Sequence, residues 1–542
     1  MATIMAEGGE TTAPAAGYAG KPDLGYRARW PVLLLFLAVL VGGVIFTLYS
    51  VNADIAAAPG PAVSRAALVL LGIALLTALG FEFVNGFHDT ANAVATVIYT
   101  HAMPPTMAVV WSGLWNFLGV LSATGAVAFG IISLLPVELI LQVDSGAGFA
   151  MVFALLIGAI VWNLGTWFMG LPSSSSHTLI GSIIGVGVAN QLMHVSGSAS
   201  GVDWGKAKEI GLSLLISPIL GFVAAALLLL VMKRILKSKK LFAEPAGTAP
   251  PPPAIRALLV VTCTLVSFFH GSNDGQKGMG LIMLILIGTV PAAYALNTNM
   301  QPTQVVAFAD SANRAEAVLT KMSRGVPAAA DPRAAVKTYL QTRTLTPDTL
   351  PSLAALAHDI GVGVRVNGTL AQVPVAEIGN LRSEMYMVSE TLRVLDKSNQ
   401  VAFDAAGKAT IKGFKSGVDS ATRFIPGWVK VVIAISLGLG TMVGWKRIVK
   451  TVGERIGKSH LTYAQGASAE IVAAAMIGVA DGMGLPVSTT HVLSSGVAGT
   501  MVANGSGLHG STLRNLGLAW VLTLPASMLL AGLLYALFVQ LV

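Results

Sequence analysis

Long apolar runs, each bounded by charged or Pro/Gly-rich stretches, dominate this chain. Those at 30–50, 106–134, 210–232, 428–445 and 516–540 approach or exceed the roughly 20 residues a helix needs to cross about 30 Å of hydrocarbon. Two longer stretches, 66–101 and 255–296, carry polar residues midway and predict single crossings by a broken helix. Two others, 149–195 and 464–503, are paired apolar runs joined by a Pro/Ser/Thr turn and predict re-entrant helical hairpins. The segment 297–427 differs. Its apolar residues recur at helix spacing, most clearly over 333–343 and 376–397, and predict a soluble helical insert. Small residues at Ala56–Ala58 follow the first run, as they would a signal peptide. However, 29 residues precede that run and its apolar core is too long, so it predicts a retained span.

Composition sharpens this picture. Charged residues make up 11% of the 542 positions, against about 25% in soluble domains. An ordinary soluble enzyme, a disordered scaffold and a nucleic-acid binder are excluded despite the net charge of +8, and the partner of most of the surface is a lipid bilayer. Of the 60 charges, 25 fall within 297–427. The lone Cys263 rules out an intramolecular disulfide framework. The chain therefore divides into a tail and extra span (1–65), a first membrane unit (66–235), a Pro/Lys-rich linker (236–254), a second unit (255–296 and 428–542) and the insert (297–427) that interrupts it.

Basic clusters orient the spans. Lys21, Arg27 and Arg29 flank the first, Lys233–Lys240 follow another, and Lys446–Lys458 follow 428–445. With all three in the cytoplasm, the N-terminus is cytoplasmic, and the insert and C-terminus are extracytoplasmic. The two polar-interrupted helices then run in opposite directions, and 149–195 returns to its own side.

The polar interruptions are duplicated. Gly86-Phe87-His88-Asp89-Thr90-Ala91-Asn92-Ala93 and Gly170-Leu171-Pro172-Ser173-Ser174-Ser175-Ser176-His177 form one set. Gly271-Ser272-Asn273-Asp274-Gly275-Gln276-Lys277-Gly278 and Gly484-Leu485-Pro486-Val487-Ser488-Thr489-Thr490-His491 form the other. The Asp-to-His separation is 88 residues in the first and 217 in the second, an excess of 129 that matches the insert. Duplication with opposite orientation predicts an all-α, inverted-repeat secondary transporter. Asp89 and Asp274 lie where a carboxylate costs about 2.5–3.5 kcal/mol on insertion scales, so each needs a cation, a proton or a polar cavity. Glycines beside them permit unwound backbone whose carbonyls could add to a cation site. The Pro-Ser/Thr turns start helices whose free N–H groups and hydroxyls suit a tetrahedral oxyanion. Carboxylates beside such donors make a symport site.

These motifs resemble the PiT family of inorganic phosphate transporters, most closely its bacterial low-affinity branch, over about 66–296 and 428–540. The resemblance implies phosphate uptake with a co-transported cation, no tightly bound cofactor, residence in the bacterial inner membrane and assembly as homo-oligomers. It carries site roles to Asp89, Asn92, Asp274 and the hydroxyl residues Ser174, Ser175, Ser176, Ser488, Thr489 and Thr490. One departure is informative. Sodium-coupled relatives have Asp-x-x-Asn in both repeats, whereas the second copy here has Asp274-x-x-Lys277. An ammonium three residues on can pair with the carboxylate and repel Na⁺, which favours coupling to H⁺, or transport of a divalent metal–phosphate complex, over coupling to Na⁺.

Gln276 is a further candidate ligand and Glu82, two turns before Asp89, a candidate proton-relay group. His177 and His491 fit backbone-bonding roles better than substrate contact. His88 has no histidine counterpart in the second copy. Trp111, Trp115, Trp162 and Trp167 fit packing or interfacial anchoring. A sulfate transporter of the same fold, an intramembrane hydrolase and an anion channel are the alternative functions.

Overall fold

The computed structural model describes residues 21–25, 30–59, 63–135, 146–193 and 202–541, with the side chains at 90–92 left aside. Arg27 and Arg29 lie outside these residues, as does the side chain of Asn92. The described chain is helical, and an isolated bridge between Gly457 and Leu508 is its only β-pairing. Among the described residues, seven helices are long and apolar enough to cross a membrane, or up to nine if each of two bent pairs is one span. Helix α1 is Trp30–Ala57 and α2 is Arg65–Tyr99; α3 (Pro105–Ser122) bends by 76° into α4 (Ala126–Ile132). A hairpin of α5 (Gly146–Phe168) and α6 (Ser175–Met193) follows, then α7 (Trp204–Ile235) and α8 (Pro253–Thr289).

The two motif-bearing helices, expected to be broken, are continuous. Helix α2 runs 35 residues through Asp89, and α8 runs 37 residues through Asp274. Their glycines serve close helix approach instead. A Cβ on Gly86 would lie 2.3 Å from the carbonyl oxygen of Leu437, and one on Gly271 would lie 2.2 Å from that of Asn116. Backbone groups in hydrocarbon must be satisfied internally. Small residues that bring helices together without opening their ladders meet that demand at lower cost than unwinding. Breaks occur at the two bends and at the hairpin turns.

After short α9 (Pro291–Tyr294), the insert comprises α10 (Pro302–Met322), α11 (Pro332–Thr342), α12 (Thr349–Asn367), α13 (Val375–Ser398) and α14 (Ala405–Thr422). Its apolar residues between Ala295 and Ala421 form a core of their own. Arg393 and Arg343 clamp Asp203 at 2.8 and 3.0 Å, and Lys397 reaches Glu209, fastening the insert to the start of α7. Burial alone would raise the Asp203 carboxyl. The Lys206 N–H it accepts and the two guanidiniums outweigh that and hold it below its ordinary value.

The chain returns through α15 (Gly427–Thr441), bent 71° from α14, then α16 (Lys446–Glu454), a hairpin of α17 (Tyr463–Gly482) and α18 (Thr489–Asn504), and α19 (Gly510–Val539). Helix neighbours repeat with the halves exchanged. Helix α3 packs on α8 as α15 packs on α2, α5 sits on α2 as α17 sits on α8, and α6 pairs with α19 as α18 pairs with α7. The hairpin tips point to opposite ends. Gly170 accepts from Thr451 of α16 at 2.9 Å, whereas Gly484 lies against Ala126 beneath the insert. The basic clusters gather at the end away from the insert. Lys21 pairs with Glu454 at 3.3 Å, and the strip after Lys240 bonds to the start of α17 through Leu241.

Candidate functional site

Each hairpin turns on a glycine in the left-handed region, Gly170 at φ 68° and Gly484 at φ 67°, where a side chain would be strained. Three residues after the proline, a helix begins. Ser174 and Ser488 cap these helices, their hydroxyls accepting from the N–H of His177 at 3.2 Å and of His491 at 3.1 Å. Such caps contribute about 1 kcal/mol each. Of the six hydroxyl residues expected at the ligand, Ser174 and Ser488 use their oxygens to start the helices. The turns deliver Ser175 and Ser176 from one side and Thr489 and Thr490 from the other, all buried.

Asp89 joins the hairpins. One oxygen accepts from Ser175, and the other accepts from Thr490 at 2.9 Å and meets His88 at 3.1 Å. Lys277, 1% exposed, lies beside it. Its ammonium donates to Ser175 at 2.9 Å and Ser176 at 3.0 Å, and pairs with Asp274 at 2.8 Å. That pair, three residues apart on α8, is the one the spacing predicts. His270 reaches Asp274 at 3.2 Å, and its other ring nitrogen meets Asn116 at 2.6 Å. Ligand atoms of Asp89, His270 and Asp274 lie within 4.8 Å of one another. The cluster sets the carboxylates of Asp89 and Asp274 around the ammonium of Lys277. Its two carboxylates and one imidazole are donors that a small cation accepts.

Other candidates are placed elsewhere. Gln276 turns away from the cluster, accepting from the Val127 N–H at 2.9 Å and donating to Asp481 at 2.6 Å. It ties α4 and the end of α17 to α8. Adjacent helix positions differ by about 100°, so Gln276 cannot share the face of Lys277. Glu82 accepts from Asn85 at 3.2 Å and packs where Gly278 leaves room at the crossing of α2 and α8. The rings of His177 and His491 meet with their centroids 4.5 Å apart, tilted by 42°. The tryptophans pack as expected, Trp111 donating to Thr264, Trp162 to Thr523 and Trp167 to Gly444.

Two participants escape a motif-based reading. His270 stands one residue before the repeated segment. Glu470, fully buried on α17, accepts from Thr96 of α2 and Thr262 of α8. It is the only charged residue of its helix apart from Asp481 near the end, a lone carboxylate within an apolar run.

The model of the phosphate transporter family matches residues 85–531, which include all four motifs and the insert. The chain belongs to that family. Among its relatives, the low-affinity inorganic phosphate transporter PitA of Escherichia coli K12 is 42% identical over 87% of this chain and 97% of its own. PitB of the same organism is 39% identical over 88% and 97%. A probable low-affinity inorganic phosphate transporter of Bacillus subtilis is 27% identical over 86% and 97%. A solved structure described as the sodium-dependent phosphate transporter aligns with 88% of this chain and 100% of its own, at 17% identity and a TM-score of 0.47. Members of the phosphate transporter family are transporters and not enzymes, so the hydrolase reading falls away. The relatives, named for phosphate, give the sulfate reading no support.

Proposed function

We propose that the chain takes up inorganic phosphate across the bacterial inner membrane in symport with protons. The observation that carries this reading is the shared use of donors at the cluster: the hydroxyls of Ser175 and Thr490, suited to an oxyanion, are occupied by the Asp89 carboxylate. Protonating Asp89 removes a charge that repels phosphate and frees those hydroxyls to donate to it. Proton and phosphate then favour each other's binding, which is the thermodynamic content of coupling. Lys277 already neutralises Asp274, so the second carboxylate needs no ion of its own. The exchanged helix pairings and opposed hairpin tips support an inverted repeat in which the two tips open the site alternately. The triad of Asp89, His270 and Asp274 gives a second reading some footing, in which a divalent cation accompanies phosphate as cargo.

Labelled phosphate uptake into proteoliposomes under imposed pH, Na⁺ and Mg²⁺ gradients tests this. Accumulation should follow the pH gradient without Na⁺, compete with arsenate and resist sulfate. Accumulation driven by Na⁺ and indifferent to pH would overturn proton coupling. A strict Mg²⁺ requirement would select the metal–phosphate complex. Downhill movement with neither accumulation nor counterflow would make the protein a channel.

The basic end, gathering Lys21, Lys233 and Lys446, is assigned to the cytoplasm. In a Cys263→Ala background, Ala334→Cys on the insert should react with a membrane-impermeant maleimide added to intact cells. Ser238→Cys should react only after permeabilisation. The opposite pattern would invert the topology.

A further inference from the structure

Between the insert and the adjoining end of the helix bundle lies a cavity of about 750 Å³, within the range of small-ligand sites. Seven Lys or Arg side chains line it against three carboxylates, Glu390, Asp396 and Asp419. Six of the seven cations are in ion pairs: Lys408 with Asp396 at 3.1 Å, Arg423 with Glu390 and Asp419, and Lys415 with Asp419. Arg393 pairs with Glu390 and Asp203, and Lys206 and Lys397 pair with Glu209, so five carboxylates stand against the seven cations. Lys412 is exposed and has no ion-pair partner among the described residues. The floor is different in kind. Thr124, Gly125, Ala126 and Gly130 border it together with Gly484, the tip of the second hairpin. A Cβ on Gly484 would stand 3.2 Å from that of Ala126, so the floor is a close contact of small residues. Directly beneath it, the Val127 N–H donates to Gln276, the residue before Lys277.

We propose that this cavity is an anion-collecting vestibule, which holds inorganic phosphate loosely above the hairpin tip before the tip admits it to the buried cluster. The inference rests on the phosphate-uptake reading and on the insert facing the compartment from which phosphate is drawn. A cationic cleft with low-dielectric walls raises the local concentration of an oxyanion. Lysines supply this as flexible point charges without the fixed bidentate geometry of a tight site. Because Lys412 is exposed, its contribution is salt-sensitive. The insert thereby acquires a role: most of the cavity's cations come from α13, α14 and Arg423, and the membrane helices supply one, Lys206.

The test is the initial rate of phosphate uptake by the full chain in proteoliposomes, for Lys412→Glu, Lys412→Gln and Lys412→Arg beside the wild type. Lys321→Glu, the same charge change outside the cavity, is the control. At about 0.01 M ionic strength, Lys412→Glu should raise KM about threefold to tenfold with Vmax within about twofold, and the difference should close near 1 M salt. Lys412→Gln should fall between, and Lys412→Arg should match the wild type. A KM unchanged in Lys412→Glu, or raised equally in Lys321→Glu, would refute the vestibule while leaving phosphate uptake intact. A wild-type protein that moves no phosphate would instead remove the uptake reading, and the vestibule with it.

Discussion

Asp89→Asn is expected to abolish phosphate accumulation driven by a pH gradient while retaining exchange of phosphate across the membrane. The carboxylate at this position accepts from Ser175 and Thr490 and contacts His88, so it links both hairpin tips. Asparagine has the same shape but no charge to titrate, and it stands permanently in the place of the protonated acid. A site fixed in that state can still bind phosphate and carry it in either direction. It has no means of exchanging a proton with each cycle, so no gradient can drive it uphill. Net uptake should fall about a hundredfold or more, the equivalent of one or two charge-assisted hydrogen bonds at about 1.5–3 kcal/mol each. Counterflow of labelled phosphate should stay within about tenfold of wild type, on the ground that hydrogen bonds between neutral groups are worth only about 0.5–1.5 kcal/mol. The two measurements are made on one preparation, which separates lost coupling from lost folding. Accumulation that persists under a pH gradient would remove Asp89 from the coupling step. Loss of counterflow as well, in a protein of unchanged thermal stability, would move Asp89 from coupling to substrate binding.

The membrane architecture was legible because lipid imposes a strict rule: long apolar runs make helices, and a charge within one needs a partner. That rule led to Asp89, Asp274 and Lys277, which the fold brings together. It did not settle what the glycines beside them do. Gly86 and Gly271 are equally compatible with unwinding and with close approach. What decides between them is the backbone of Leu437 and of Asn116, each more than 150 residues away in sequence. Gln276 shows a second limit. Its place between Asp274 and Lys277 suggested a ligand, but rotation about the helix turns it toward Val127 and Asp481. Glu470 shows a third, since a buried carboxylate outside any repeated motif draws no attention until Thr96 and Thr262 are seen around it. The insert was recognisable as helical, yet its attachment depends on Asp203 and Glu209, ordinary surface charges until Arg393 and Lys397 meet them.

Lys277→Asn should make both the stability and the transport of the protein depend on Na⁺. Removing the ammonium leaves Asp274, 0% exposed, without the countercharge that stood 2.8 Å away. Breaking a buried ion pair from one side costs about 3–5 kcal/mol, and the ligand atoms of Asp274, Asp89 and His270 beside the vacancy are donors that a small cation accepts. Sodium that binds there in the folded state alone stabilises it by about 2.7 kcal/mol at a hundred times its Kd. The variant's Tm should therefore rise with Na⁺ at constant ionic strength, where that of the wild type does not. Phosphate uptake should become Na⁺-stimulated in parallel. Asp274→Asn combined with Lys277→Asn separates the cation site from a simple packing defect. The double variant has no orphaned charge, so it should recover stability in choline as well as in Na⁺ and lose the Na⁺ response. A Lys277→Asn protein whose Tm and uptake ignore Na⁺ would mean that the ammonium is structural and that coupling is set elsewhere. If instead Na⁺ sensitivity appears, one side chain three residues beyond a carboxylate decides which ion this scaffold uses. The lysine is then a permanently bound cation, covalently attached and unable to leave with the substrate.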